Sequence, residues 1–362
     1  MKRLLISLAA AGCLAHGGTL YLGMYPNWVA VFDESKGQIV DRIHLDTGLP
    51  TSLKLSLDRK TIYATTNDHN GIEVIDVATH KVVNHFVLDS ATHRVRFNGG
   101  VADPDGKLFY TVTTEMDKRS DRYDIGNPKY TVIDLAQQKI LKTVDIAKED
   151  QTANRAGGGG RGGGFDMSPD GKYLYQFRDK VVILNPSDFK VVDRIDLAKP
   201  DLPGMENIGF GGELDSIREP GQRVSLFTSA DPIVHNRVFG IADFDMTTRK
   251  FKFTPIGPAP QGMTGLHVTP DKKMAFTVVS TGEFGNRRCE FWSFNLASDK
   301  ITQTMELPCR SRFSFGMSAD GKKLYIYAAG FEIDVYDAAT LKHERTWDLG
   351  NDITGGGMIV LP

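Results

Sequence analysis

Apolar and polar positions alternate with period two along most of the chain. The runs are short, rich in Val, Ile, Tyr, Phe and Thr, and cut by Asp, Asn, Gly, Pro and Ser. The stretch Gly163–Leu197 shows the unit. An apolar segment reaches Met167 and stops at Ser168-Pro-Asp-Gly171. Tyr173–Phe177 is a second run, and a break at Arg178–Lys180 leads to a third, Val181–Leu184. Asn185-Pro-Ser-Asp188 then turns the chain into Val191–Leu197. Pro-Asp-Gly suits a tight reversal because Pro presets φ and Gly accepts a positive φ. The pattern predicts four short strands in an antiparallel meander. One such sheet cannot cover both its own faces, so it needs copies of itself on either side.

The hairpin turn of the unit recurs seven times, at Asp33–Gly37, Asp76–His80, Asp134–Gln138, Asn185–Asp188, Asp245–Arg249, Asn295–Asp299 and Asp337–Thr340. The earlier turn occurs six times, at Leu57–Lys60, Pro104–Gly106, Pro169–Gly171, Pro220–Gly221, Pro270–Lys272 and Ala319–Gly321. Successive copies lie about 45–65 residues apart, a spacing typical of propeller blades. The first copy begins at Thr19–Leu22 as a second strand with no first strand before it. The last residues, Gly355–Pro362, read as a first strand with nothing after it. Joining the two completes a seventh sheet and removes the exposed edges of a linear array. The expected fold is therefore all-β: a seven-bladed β-propeller over residues 19–362, built of four-stranded antiparallel blades. The C-terminal strand would join the N-terminal blade to close the ring.

In such a meander the two recurrent turns share one rim and stay short. The other rim carries the long connections, Thr113–Lys129, Ala147–Gly164, Ala198–Gly212, Ser229–Arg237 and Ser280–Arg288. Long connections gathered on one face of a rigid scaffold usually carry function. The candidate ligand- or partner-binding residues are those of that face and of the channel mouth: Arg119, Asp121, Arg122, Tyr123, Arg161, Glu206, His235, His267, Arg288 and Arg312. Glu115–Tyr123 is dense in opposite charges. It reads either as a solvated loop held by local pairs or as a docking element anchored by Arg and Tyr.

Chemistry-bearing patterns are sparse. The tract Ala156–Gly164 contains GxGxxG by composition, but a loop leads into a strand there, whereas a dinucleotide site needs strand, turn and helix. The histidines have no metal-ligand spacing, there is no haem-attachment Cys-x-x-Cys-His, and there is no Gly-x-Ser-x-Gly elbow. The aspartates of the turns satisfy turn N–H groups. No catalytic residue, metal or covalently held cofactor is expected in this chain. A hydrolytic site at the channel mouth is the competing reading; it would converge His267, Glu206, Arg161 and Arg312. A carbohydrate-binding surface using Tyr25, Trp28 and Tyr123 is a third.

Composition narrows the context. The net charge of −2 gives no basic excess of the kind nucleic acid requires, and no apolar run reaches membrane-spanning length. Residues 1–18 read as an export segment: Lys2 and Arg3, then the apolar Leu4–Ala11, then small residues. Cleavage after Ala15 and lipid attachment at Cys13 are the two processing routes. Cys289 and Cys309 sit about equally far from the turn Ala297–Lys300, on neighbouring antiparallel strands. A disulfide and two unpaired thiols both fit that placement.

The repeat core, as in Gly71–Asp76 with Val82 and Val83, resembles the YVTN-type propeller repeat. Three stretches are also similar to the β chain of quinohemoprotein amine dehydrogenase. They are Tyr25-Pro-Asn27 with Val29–Asp33, Lys118–Tyr123 through Pro128 into Tyr130–Asp134, and Leu349–Asp352 into Thr354. That resemblance implies a periplasmic propeller holding neither haem nor quinone. It would serve as a platform for a small quinone-bearing subunit and a dihaem cytochrome subunit. No catalytic residue carries over from it, because that chemistry sits on another chain.

Overall fold

The computed structural model describes residues 17–151, 165–177, 180–196, 206–211, 221–230, 233, 236–310, 312–328 and 330–362. Among them the regular structure is almost entirely strand, and the strands form seven antiparallel sheets. The first three are β1 (Thr19–Met24), β2 (Trp28–Asp33) and β3 (Gln38–His44). The second sheet is β4 (Pro50–Leu55), β5 (Thr61–Thr66), β6 (Gly71–Asp76) and β7 (Lys81–Val87). The third comprises β8 (His93–Phe97), β9 (Val101–Ala102), β10 (Leu108–Lys118), β11 (Tyr123–Ile125), β12 (Lys129–Asp134) and β13 (Lys139–Asp145). A short helix, α1 (Lys148–Gln151), follows.

The fourth sheet is β14 (Asp166–Met167), β15 (Leu174–Phe177), β16 (Lys180–Leu184) and β17 (Val191–Asp196). The fifth is β18 (Glu206–Gly211), β19 (Gln222–Ala230), β20 (Arg237–Asp245) and β21 (Lys250–Pro258). The sixth is β22 (Gly262–Met263), β23 (His267–Val268), β24 (Met274–Thr281), β25 (Arg288–Asn295) and β26 (Lys300–Leu307). The seventh is β27 (Ser314–Met317), β28 (Lys323–Tyr327), β29 (Glu332–Asp337) and β30 (His343–Asp348). The last strand, β31 (Ile353–Leu361), returns to β1 with Leu20 opposite Val360 and Leu22 opposite Met358.

The turns follow from their side chains. In every one of the seven hairpin turns the leading Asp or Asn accepts a backbone N–H two or three residues on. Examples are Asp76 from Thr79 at 2.7 Å and Asn295 from Ala297 at 3.0 Å. In four of the earlier turns a Ser or Thr hydroxyl donates to the turn aspartate, as Ser168 does to Asp170 at 2.7 Å. The Ser35 and Ser168 hydroxyls help to hold the carboxyls of Asp33 and Asp170 down to about 2. A Cβ on Gly171 would stand 2.9 Å from Pro104 of the preceding sheet, and one on Gly321 2.6 Å from Pro270. These turns therefore lie side by side on one rim.

The core lies between sheets. Seven clusters of buried apolar residues each join two neighbouring sheets. Tyr21, Val29 and Val31 pack on Ile62, Ala64 and Ile75, between the first and second. Leu20, Leu22 and Phe32 pack on Tyr325, Ile333 and Val335, between the first and seventh. Each fully buried side chain of this kind contributes about 1.5–3 kcal/mol. A tyrosine on the second strand repeatedly ties one sheet to the hairpin turn of the next. Tyr21 donates to the Val77 carbonyl at 3.3 Å and Tyr175 to the Met246 carbonyl at 2.6 Å. Tyr325 of the seventh sheet makes the same link to Glu34 of the first, at 2.7 Å, and Glu34 also accepts the Gly18 N–H at 2.7 Å. The architecture is propeller-like.

Three expectations need correction. Glu206–Gly211, expected inside the connection Ala198–Gly212, is the strand β18 paired with β19. The connection 113–129 is largely strand: β10 runs on to Lys118, pairs with β8 on one side, and returns as β11. Its polar residues alternate with period two and meet a partner strand, which composition alone conceals. Ser280 and Thr281 likewise belong to β24, leaving a shorter connection with a 3-10 turn at Phe284–Asn286.

Candidate functional site

The β8–β10–β11 ribbon extends past the rest of the third sheet on the rim of the long connections. Residues directly opposite in antiparallel strands share a face, and the face alternates along each strand. Met116 faces Ile125 and Arg94, Lys118 faces Tyr123, and Thr114 faces Arg96, so these residues form one side. Glu115, Asp117, Asp124 and His93 form the other, where His93 Nδ1 lies 2.8 Å from Asp117 Oδ1. One side of the ribbon is thus basic and apolar; the other carries the acids together with Val95 and Phe97, which are buried between the second and third sheets.

Its tip is fixed by one carboxylate. The Asp124 oxygens accept Arg119 Nε–H at 2.8 Å and Arg122 Nε–H at 2.9 Å, and Arg122 also pairs with Asp121 at 3.3 Å. The Arg119 N–H donates to the Arg122 carbonyl at 2.8 Å, closing the turn. The two guanidinium groups lower the Asp124 pKa. The charges of this segment are locally paired, as the solvated-loop reading expects. Tyr123 is left 52% exposed beside Ile125 at 68%.

His267 occupies a different place. It lines a cavity of about 470 Å³ whose walls include Ile241, Phe315, Met317, Tyr327 and Met358. Thr269, Lys272, Asp299 and Ala319 also line it, so the cavity lies toward the short-turn rim, away from the ribbon. His267 Nε2 is 3.0 Å from the Phe315 carbonyl, with the two rings edge to face at 4.9 Å. A carbonyl only accepts, so Nε2 carries the proton. Farther around the inner strands, Lys54 of β4 and Asp166 of β14 form an ion pair at 3.0 Å that reaches past the third sheet.

Cys289 and Cys309 form a disulfide with a Cα–Cα distance of 5.2 Å. Their numbering put them opposite each other. The hairpin instead pairs Asn295 with Lys300, and even with the bulge at Ser293/Phe294 Cys289 stands against Leu307, so Cys309 follows just beyond β26. The bridge ties the start of β25, with exposed Arg288, to the connection carrying exposed Arg312. Arg310 between them is neutralised by Asp334 and Glu332.

His267 and Arg312 are not brought together, since Arg312 lies outside the cavity lining. Glu206 opens β18, but its side chain lies outside what is described, as do Arg161, His235 and Cys13. Among the described residues no group of three or more His, Cys, Asp and Glu could hold a metal ion, and no helix is long and apolar enough to cross a membrane. Tyr25 is exposed, whereas Trp28 packs at the edge of the cluster between the first and seventh sheets.

Sequence reasoning passed over Arg94, Arg96, Met116 and Ile125. The alternation in His93-Arg-Val-Arg-Phe97 was the available signal, because it sends both arginines to the face opposite Val95 and Phe97. It also passed over Glu73, which is fully buried. Glu73 Oε1 accepts the Thr47 N–H at 2.6 Å and the Thr47 hydroxyl at 2.8 Å, while Oε2 has no partner. Burial raises the Glu73 pKa.

No protein-family model matches the chain, and no curated protein does either. Solved structures do resemble it. A functionally unknown protein from Desulfotomaculum acetoxidans superposes with TM-score 0.57 at 14% identity, over 95% of this chain and 99% of that one. Dihydro-heme d1 dehydrogenase NirN, in complex with DHE, gives TM-score 0.53 at 13% identity, over 98% of this chain and 77% of that one. AztD from Citrobacter koseri, in its apo form, gives 0.52 at 12%, over 96% and 98%. All are β-propeller-type proteins, and at such identities the likeness carries the fold alone.

Proposed function

We propose that residues 19–362 form a seven-bladed β-propeller whose ring is closed by β31, and that the chain works as an exported, non-catalytic scaffold for partner proteins. Residues 1–18 are its export segment. The chemistry it serves would reside on other chains, as in the YVTN-type platform of a quinohemoprotein amine dehydrogenase: a small quinone-bearing subunit and a dihaem cytochrome. The observation that carries this reading is the β8–β10–β11 ribbon, which stands out from the sheet with a tip preset by Asp124 and an uncovered Tyr123 and Ile125. Preorganised aromatic and arginine side chains suit protein recognition because little freedom is lost on docking. The Cys289–Cys309 bridge suits an oxidising compartment.

The second reading, a lactonase-like hydrolase, draws on the cavity that holds His267. It requires lactone hydrolysis above buffer that is lost in H267A.

The test of the scaffold reading is isolation of the tagged chain from its native host at low salt. Co-eluting fractions would be assayed for haem absorbance and amine-dependent dye reduction. The reading predicts a stoichiometric partner chain; a single clean species in every preparation overturns it.

A further inference from the structure

The two faces of the ribbon differ in how their charges are spent. On the acidic side every carboxylate is engaged: Glu115 with Lys129 at 3.8 Å, Asp117 with His93, Asp124 with both tip arginines. On the opposite side Arg94, Arg96 and Lys118 are exposed, and no carboxylate among the described residues pairs with any of them. Three cations held on one rigid face without counter-charges repel one another, a cost the fold would avoid by placing an acid among them. Acids are available one residue away along β10, at Glu115 and Asp117, yet the register turns them to the other face. Met116, Tyr123 and Ile125 lie among the cations on the same side.

We infer that this face is the docking surface for a partner protein whose contact surface is acidic around an apolar residue. The inference rests on the scaffold reading and adds the chemistry of the partner to it. Arg, Tyr and Met are the side chains enriched in protein–protein contacts, and the apolar centre gains by being covered while the surrounding cations meet carboxylates. A nucleic acid or an anionic membrane would satisfy the cations alone, but neither calls for an apolar centre ringed by charge. The outer edge of β11 is also unpaired among the described residues, so an extended acidic segment can lie alongside it.

The probe is a fluorescein-labelled peptide of alternating Glu and Leu, twelve residues long (~12, enough to span the ribbon as a strand). Fluorescence anisotropy reads its binding to the full chain. A Lys-Leu peptide of the same length, a single-stranded DNA oligomer and phosphatidylglycerol vesicles are run beside it. The variants are R94E/R96E, Y123A/I125A and, as a distant control, R345E on β30. Urea unfolding establishes that each is folded.

Docking by an acidic protein predicts that the Glu-Leu peptide binds and weakens roughly tenfold or more in R94E/R96E. It weakens several-fold in Y123A/I125A and is unchanged in R345E. Binding should fall with salt, and R94E/R96E should gain affinity for the Lys-Leu peptide. Equal affinity of wild type and R94E/R96E for the Glu-Leu peptide overturns the inference. So does absence of binding, and so does tighter binding of DNA or vesicles with loss of it in R94E/R96E. If the peptide pattern appears while no chain co-elutes from the host, the scaffold reading fails and the docking face stands. The reverse outcome removes the face and keeps the scaffold.

Discussion

Glu73 offers a perturbation whose sign is set by the structure. Its carboxyl is fully buried on β6 and holds the connection between the first and second sheets by two hydrogen bonds to Thr47. Removing it in E73A orphans the buried Thr47 N–H and takes the acceptor from the Thr47 hydroxyl, which keeps its bond with the Thr66 hydroxyl at 2.8 Å. A buried group left without a partner costs about 1–3 kcal/mol, so a loss of about 2–3 kcal/mol is expected. E73Q keeps an acceptor for both donors and should cost far less. The pH dependence separates the two chemistries. Burial raises the folded pKa, with Asp46 adding to the rise and His85, opposite on β7, opposing it together with the Thr47 bonds. The unfolded carboxyl titrates near about 4.3.

A folded pKa above the unfolded one means that the folded state holds the proton more tightly. The contribution of Glu73 is then fully present below the unfolded pKa and is lost as pH rises through the folded one, at about 1.4 kcal/mol per pH unit between them. The other carboxylates of the chain are common to wild type and E73Q, so their difference isolates Glu73. Urea midpoints measured from pH 4 to 8 (a window of about four units around the glutamate value) should show wild type losing ground to E73Q as pH rises. A difference that is flat, or that moves in favour of wild type, refutes a buried, desolvated carboxyl at this position.

Gly171 sits at φ +71° with Pro104 closing on it. G171A should cost about 1–2 kcal/mol from backbone strain alone, whereas G330A, in open space, should stay within about 0.5 kcal/mol by urea unfolding. The Cys289–Cys309 bridge closes a loop with a sequence separation of 20. C289S/C309S should lose about 3 kcal/mol, and iodoacetamide should label neither cysteine of the native chain before reduction.

The sequence made the sheets legible because each strand is bounded by a turn whose chemistry is local. Asp, Asn, Ser and Pro act within a few residues of their own position, so Asp33, Asp76 and Ser168 do what their neighbours dictate. The return of β31 to β1 was also readable, since an incomplete first copy and an extra last strand fit no other way. The site was less readable because its properties are relational. Which face Arg94 shares with Tyr123 depends on two registers, β8 with β10 and β10 with β11, and single-strand patterns do not state them. Glu73 looks like any strand glutamate until the connection bearing Thr47 folds over it. His267 sits on the short strand β23, and the rim its cavity faces emerges only from the assembled sheets.

Amide hydrogen exchange tests the closed ring most directly. Peptides covering Thr19–Met24 and Ile353–Leu361 should exchange as slowly as Thr61–Thr66, a strand inside the second sheet, because Leu20, Leu22 and Ile359 are covered on both sides. Exchange of either terminal segment at the rate of an exposed chain end, with the second sheet still protected, would contradict the account.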